Sequence, residues 1–460
     1  AGRRAGRWCG RRRQRKHVIA TAVPRAGDSG RLGAAPGLRP TPGTGQVPAG
    51  HDGKLFAVLM GGYPLAWALG LAPVFYMMLA VPMAMWLLRN RPFQIPRGTV
   101  FFLLFLMIVG ASFVQLNSIG RIAIYGLRTS WYVSAFIAFL YLVRHRGAGA
   151  QALIVKSMVL LWALIVFGGY LSIFAPELQW STPVAQVLPG VLADNEFIHR
   201  LINPQVSEIQ IFRFEDVTLH RPAAPFAYTN AWGSTLAMVT PFVLAALHDR
   251  RIGIPRKVLV PLLALGVVPF YVALNRGSWL TLGAGVCYGV ARYAFIKRNA
   301  MPIVLLVALL AIGAGFAAST GVLDTATEQL ATRSADSNET RSNLYAETIR
   351  EAAKSPLIGY GSTRTSPSNP SGPPLGTHGQ LWAVLFAHGY LGVGLYLAFF
   401  LSAFFRSRPL DPVAHWAKVS LFIGLMQLPI YGHLPHQLFV MVGAVVISTW
   451  GSQAARSDRR

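Results

Sequence analysis

The chain has 460 residues, of which 53% are hydrophobic and 13% charged, with 26 Phe and 11 Trp. A soluble protein carries about one quarter charged residues, so this balance excludes an ordinary soluble enzyme and places most of the chain in lipid. Of the formal net charge of +25, residues 1–54 supply about +10, from twelve Lys or Arg against Asp28 and Asp52.

That first segment, residues 1–54, is rich in Gly, Pro and Arg and too poor in apolar residues to bury a core. It is expected to be a disordered basic cytoplasmic tail beside anionic lipid. Nucleic-acid binding would need interleaved aromatics, and only Trp8 is there. No apolar run of signal-peptide length precedes Leu55. Cys9 and Cys287 lie in the tail and in an apolar run, so they offer no extracellular disulfide and no thiolate metal cluster.

Twelve apolar runs follow: Leu55–Leu71, Ala72–Leu88, Val100–Leu116, Ile124–Val143, Ala152–Phe174, Phe226–Leu247, Val258–Leu274, Trp279–Ile296, Pro302–Ser319, Leu381–Phe405, Ala414–Ile430 and Gln437–Trp450. Each approaches the ~20 residues that a helix needs to cross hydrocarbon. Short basic loops recur after every second run, at 89–97, 144–146, 249–257, 297–298 and 406–408. Lys and Arg beside spans stay on the cytoplasmic side, which puts both termini inside and two long polar stretches, 176–225 and 321–379, outside. The expected fold class is an all-α polytopic membrane protein of about twelve transmembrane helices with two large extracytoplasmic loops. Its domains are the tail 1–54, a transmembrane domain 55–450 and a cytoplasmic tail 451–460, in the cytoplasmic (inner) membrane with the active face outside.

Charge placement narrows the function. Twelve of the seventeen Asp and Glu fall in the two outer stretches and no span centre carries a clear carboxylate, which disfavours an ion-coupled transporter. No P-loop, Asp-x-Asp or His-Glu-x-x-His pattern occurs, which disfavours nucleotide hydrolysis and metal-dependent sugar-nucleotide transfer. Arg121, Arg213, Arg221, Arg276, Arg333 and Arg341 all lie outside in this topology, and Arg128 lies within a span near its outer end. One such arginine commonly pairs with a nearby Glu or with lipid phosphate. Several together suggest an anionic ligand, and the planar guanidinium fork suits a diphosphate. Polyprenyl-diphosphate-linked glycans are anions of that membrane surface.

Four segments then carry a family resemblance. Arg221-Pro-Ala-Ala-Pro-Phe-Ala-Tyr-Thr-Asn230 leads into a span, and Leu274-Asn-Arg-Gly-Ser-Trp279 forms a turn between two spans. Arg341 to Gly361 reads as a loop helix followed by Pro-x-x-Gly-x-Gly, and His378 opens the next span. Together, in this order, they resemble the O-antigen ligase family of lipid-linked glycan ligases and polymerases. Two positions depart from the family pattern: Gly379 follows the histidine where Asn is usual, and the turn reads Asn275-Arg276 rather than Ser-Arg.

The resemblance implies a GT-C-like glycosyltransferase bundle that works without metal or cofactor. The donor would be a polyprenyl-diphosphate-linked glycan, the acceptor a glycan or lipid hydroxyl, and the other partner membrane lipid, with no nucleic acid. It implies His378 and Arg276 as catalytic and Arg221, Arg341 and Asn230 as substrate-binding, with inversion at the anomeric carbon; Arg213 joins the substrate-binding set from its side of the membrane alone. The alternatives are a cell-wall glycan polymerase relying on Glu196, Glu215 or Asp216, and a transporter or flippase.

Local chemistry is legible beside the resemblance. Ser337 or Asn338 can cap a helix over Glu339–Lys354, and Pro356 stops it. Arg341, Tyr345 and Thr348 are expected on one side of it, with Leu344, Ile349 and Ala352 as a patchy apolar face. Pro367–Pro374 is a stiff approach to His378, whose ordinary pKa near 6.5 suits it to accept a hydroxyl proton. His433 and His436 could join His378 at a zinc ion, though an interfacial turn fits Pro435 between them better. His199 and His220 read as surface residues.

Overall fold

The computed structural model describes residues 53–457 apart from 91–95, 97, 146, 191–195, 212–217, 309–310, 312–340, 371 and 408–410. It is mostly helical, as the apolar runs dictate. Five long helices open it: α1 (Lys54–Ala68), α2 (Ala72–Arg89), α3 (Thr99–Ala111), α4 (Ile119–Arg144) and α5 (Ala148–Phe174). Six more follow: α6 (Thr229–His248), α7 (Arg256–Val272), α8 (Arg276–Lys297), α9 (Gln380–Arg406), α10 (Pro412–Gln427) and α11 (Pro435–Ser457). These coincide with eleven of the predicted spans. Of the remaining run, 302–319, residues 302–308 and 311 are among the described residues, helical over 301–308.

Five of the helices, α2, α4, α5, α6 and α9, are long and apolar enough to cross a membrane by length and composition. The chain is a multi-pass membrane protein on that ground. Helix α6 is central: sixteen of its twenty residues are buried, and it packs on α5, α8, α10 and α11. Helices α1 and α2 pack on each other and on α5 and α4 respectively, and α3 packs on α9.

The polar stretch 176–225 corrects the all-helical expectation. It contains a two-stranded antiparallel hairpin, β1 (Ser207–Ile211) with β2 (Thr218–Pro222), in which Glu208 stands opposite Arg221. Short helices at Pro183–Val187 and Glu196–Ile202 precede it.

Helix α9 is broken at Gly389, whose φ of 69° and ψ of −176° suit glycine. A break strands backbone groups that must find other partners. Here the Pro-x-x-Gly-x-Gly turn supplies them: Tyr360 N donates to Phe386 O (2.9 Å), Gly361 N to Ala387 O (2.7 Å), and Tyr390 N to Pro356 O (2.8 Å). A Cβ at Gly389 would lie 2.4 Å from Pro356 O, and one at Gly359 2.5 Å from the Ala387 carbonyl carbon. The glycines of that motif therefore serve close backbone approach to a discontinuous helix, beyond the permissive turn that spacing suggests.

Arg121 belongs to the same construction. Its Nη1 donates to Gln115 O (3.2 Å) and Asn117 Oδ1 (2.6 Å), and its Nη2 to Tyr360 O (2.5 Å) and Ser362 O (3.4 Å). These four bonds use all the protons of its two terminal nitrogens. Arg121 is thus a clamp on the turn rather than a ligand-binding cation.

Candidate active site

Most of the residues singled out by sequence meet at one end of the bundle, where α6, α8, α9 and α11 begin and α7 and α10 end. Arg221 reaches there from β2, its Nε donating to Ala273 O just past α7 (2.8 Å). Arg276 is the first residue of α8 and half-buried. Arg341 opens the described part of the loop helix, residues 341–352, and is also half-buried. Arg221 lies close enough to Arg341 and Arg276 to interact through their charges. Burial holds the Arg221 guanidinium below its ordinary pKa, opposed by Glu208 and Tyr431 and reinforced by Arg341 and Arg276. It stays charged, as an arginine does. Among the described residues, neither Arg276 nor Arg341 has a carboxylate within ion-pair distance.

A polar frame holds these cations. Glu208 Oε2 accepts from Thr229 N at the start of α6 (2.9 Å), and its Oε1 accepts from Arg200 (3.4 Å). Asn275 Nδ2 donates to Thr229 O (3.3 Å), while its Oδ1 accepts from the Tyr431 hydroxyl. Tyr431 is buried, which pushes its hydroxyl pKa up and keeps it a neutral donor beside Arg341 and Arg221. The Asn275 departure from the family turn therefore has a use: its side chain spans from α6 to Tyr431.

His378 stands just before α9 with φ at 60°, a left-handed backbone that a histidine rarely adopts. Tyr345, one turn beyond Arg341 on the loop helix, donates its hydroxyl to His378 O (2.8 Å) and stacks on Trp382 (4.7 Å between ring centroids). The Thr377 hydroxyl donates its one proton to Pro374 O (2.6 Å), so its 3.0 Å contact with His378 Nδ1 is an Nδ1–H donating to Oγ1. That leaves Nε2 as the basic nitrogen. The ring is exposed at the surface of the site yet walled by neighbouring atoms. This partial desolvation, with the Arg341 charge, lowers its pKa below the ordinary histidine value.

Other placements differ from expectation. Asn230 is exposed on the first turn of α6, and none of the described bonds framing the cluster runs through it. Arg213, Arg333, Ser337, Asn338, Glu215 and Asp216 lie outside the described residues. Glu196 is 86% exposed at the side chain beside Arg200. On the loop helix Thr348 is buried with Leu344 and Ala352, while Ile349 is 41% exposed, because the packed face follows the i, i+4, i+8 positions. His433 and His436 are buried where an interfacial turn was expected, with the His436 ring tilted against Phe226 (4.2 Å between ring centroids). His199 is exposed, and His220 Nδ1 lies 3.2 Å from Ser207 Oγ.

Residues 258–397 match the sequence model of the O-antigen ligase family. The chain carries an O-antigen ligase domain. The matched segment runs from α7 through Arg276, the loop helix and its glycine turn to His378 and the broken part of α9. In this O-antigen ligase domain the arginine end of α8 and the histidine end of α9 are brought together by the loop helix. Arg221 and the hairpin lie before the matched residues. No curated protein matches the chain.

Sequence reasoning missed Glu208 and Tyr431 as parts of the frame; it set Tyr345 on the Arg341 side of the loop helix and read Asn275 only as a departure in the turn. Nothing in the local pattern marks Glu208 as the acceptor at the start of a helix twenty-one residues away.

Proposed function

We propose that the protein transfers or polymerises a glycan from a polyprenyl-diphosphate-linked donor onto an acceptor hydroxyl at the outer face of the cytoplasmic membrane. The observation that carries this is the convergence of Arg221, Arg276 and Arg341 on one neighbourhood beside His378. His378 Nε2 takes the acceptor's hydroxyl proton as the oxygen bonds to the anomeric carbon. The bond from that carbon to the diphosphate breaks, and the electron pair leaves on the diphosphate oxygen. Attack in line with departure inverts the anomeric centre. Arg276 and Arg221 stabilise the charge growing on the leaving group, a task that metal ions perform in other enzymes. Arg341 serves twice, binding the diphosphate and keeping the neighbouring imidazole neutral.

The basic loops support a topology with this end of the bundle outside and residues 1–54 and 451–460 as cytoplasmic tails. The deciding experiment incubates purified wild type and His378→Ala with an authentic polyprenyl-diphosphate glycan, an acceptor and a chelator. Free polyprenyl diphosphate and transferred glycan are both followed. The expected result is release coupled to transfer in wild type and a loss of about 10²–10⁴ in rate in the variant. Solute movement into liposomes that contain no donor would instead favour a transporter.

A further inference from the structure

Arg128 lies on α4, a candidate membrane span, nine residues in from Ile119 or about 13 Å along the helix. It is half-buried. Its guanidinium sits 5.9 Å from the Phe197 ring, and its nearest ionisable neighbours include Tyr132 and Tyr228. Among the described residues it has no carboxylate partner and no hydrogen bond. At the opposite end of the same helix-bundle unit Arg251 has Asp249 and Asp411; among the described residues Arg128 has aromatic rings and neutral hydroxyls instead.

The direction it faces matters. Gly126, Thr129, Ser130 and Val133 line an apolar groove between α4 and α2 of about 520 Å³. At about 100° per residue, Arg128 is on the other side of α4, with the buried Tyr132. It therefore turns into the bundle rather than toward that groove. Tyr132 connects it to the cationic site: Gln380 Nε2 donates to the Tyr132 hydroxyl (3.0 Å), and Gln380 N donates to Tyr431 O (2.7 Å). An unmatched guanidinium inside a span is costly and is retained where a ligand neutralises it.

We propose that Arg128 is a second anion subsite, deeper in the span than the Arg221, Arg276 and Arg341 cluster, that holds a phosphate of the donor's polyprenyl diphosphate. This rests on the donor assigned above. The subsite positions the lipid end of the diphosphate, and the three shallower arginines hold the end that leaves the sugar.

The test is thermal unfolding of the purified full chain in detergent, titrated with polyprenyl diphosphate, inorganic diphosphate or phosphatidylglycerol. Wild type, Arg128→Met and Arg128→Lys are compared. Removing an uncompensated charge should leave the unliganded Tm of Arg128→Met equal to or above wild type. Its apparent Kd for polyprenyl diphosphate should rise at least tenfold, with Arg128→Lys between. A Kd within twofold of wild type overturns the proposal, as does a fall in unliganded Tm, which would make Arg128 a structural partner of Phe197. Loss of a phosphatidylglycerol response alone also overturns it, by assigning the site to bulk lipid. No response of wild type to polyprenyl diphosphate contradicts the donor itself, a failure distinct from that of Arg128.

Discussion

Two groups of cations at opposite ends of the bundle are partnered differently. At the end where α5 and α10 begin, Arg251 pairs with Asp249 (2.6 Å) and Asp411 (2.9 Å), Gln151 donates to Asp411 (3.3 Å), and Lys418 caps the Ser407 carbonyl (2.8 Å). At the His378 end, Arg276 and Arg341 crowd Arg221 with no carboxylate of their own among the described residues. Both ends face water or headgroups, so solvation alone does not explain the difference. A cation with an internal partner holds structure, whereas crowded cations without one mark a candidate anion site.

That contrast can be sharpened by experiment. Gly389→Ala tests whether the site end depends on the break in α9. Its φ and the approach of Pro356 O predict a loss of about 3 kcal/mol and a lower Tm. A Tm within a degree of wild type would mean that the turn tolerates a continuous helix.

Next in size is the buried His433, whose pKa is pushed down to about 3 by burial. The unfolded chain takes up this proton near pH 6.5 while the folded one does not, so stability falls as pH drops below that value. The expected cost at pH 5 is on the order of 2 kcal/mol. His433→Gln should flatten the fall in Tm between pH 7 and pH 5; an unchanged slope would show that other groups carry it.

The smallest effect is electrostatic. Arg341→Gln removes a charge that lowers the His378 pKa. The acid limb of the kcat/KM profile should therefore move to higher pH, because the imidazole then protonates sooner. A limb that stays in place would separate Arg341 from the base.

Much of the architecture was legible because lipid enforces it. Eleven apolar runs are helices within a few residues of their predicted ends. What sequence hid was long-range backbone satisfaction. The hairpin could not be seen because Glu208 and Arg221 are set opposite by register, and the chain joining β1 to β2 carries no strong turn signal. Arg121 looked like a ligand for anions because two of its four partners, the carbonyls of Tyr360 and Ser362, come from a loop far away in sequence. His433 and His436 looked interfacial because Pro435 suggests a turn, yet the turn is folded inward under Gln380, which accepts from His433 N (3.1 Å).

The most direct test sets one arginine from each end against the other in a single turnover at saturating donor. Arg276→Gln should slow release of polyprenyl diphosphate by about 10²–10³, the usual cost of one donor to a developing anion. Arg251→Gln, exposed and paired at the far end, should stay within twofold of wild type. Equal rates for the two variants would contradict the assignment of the leaving diphosphate to the His378 end.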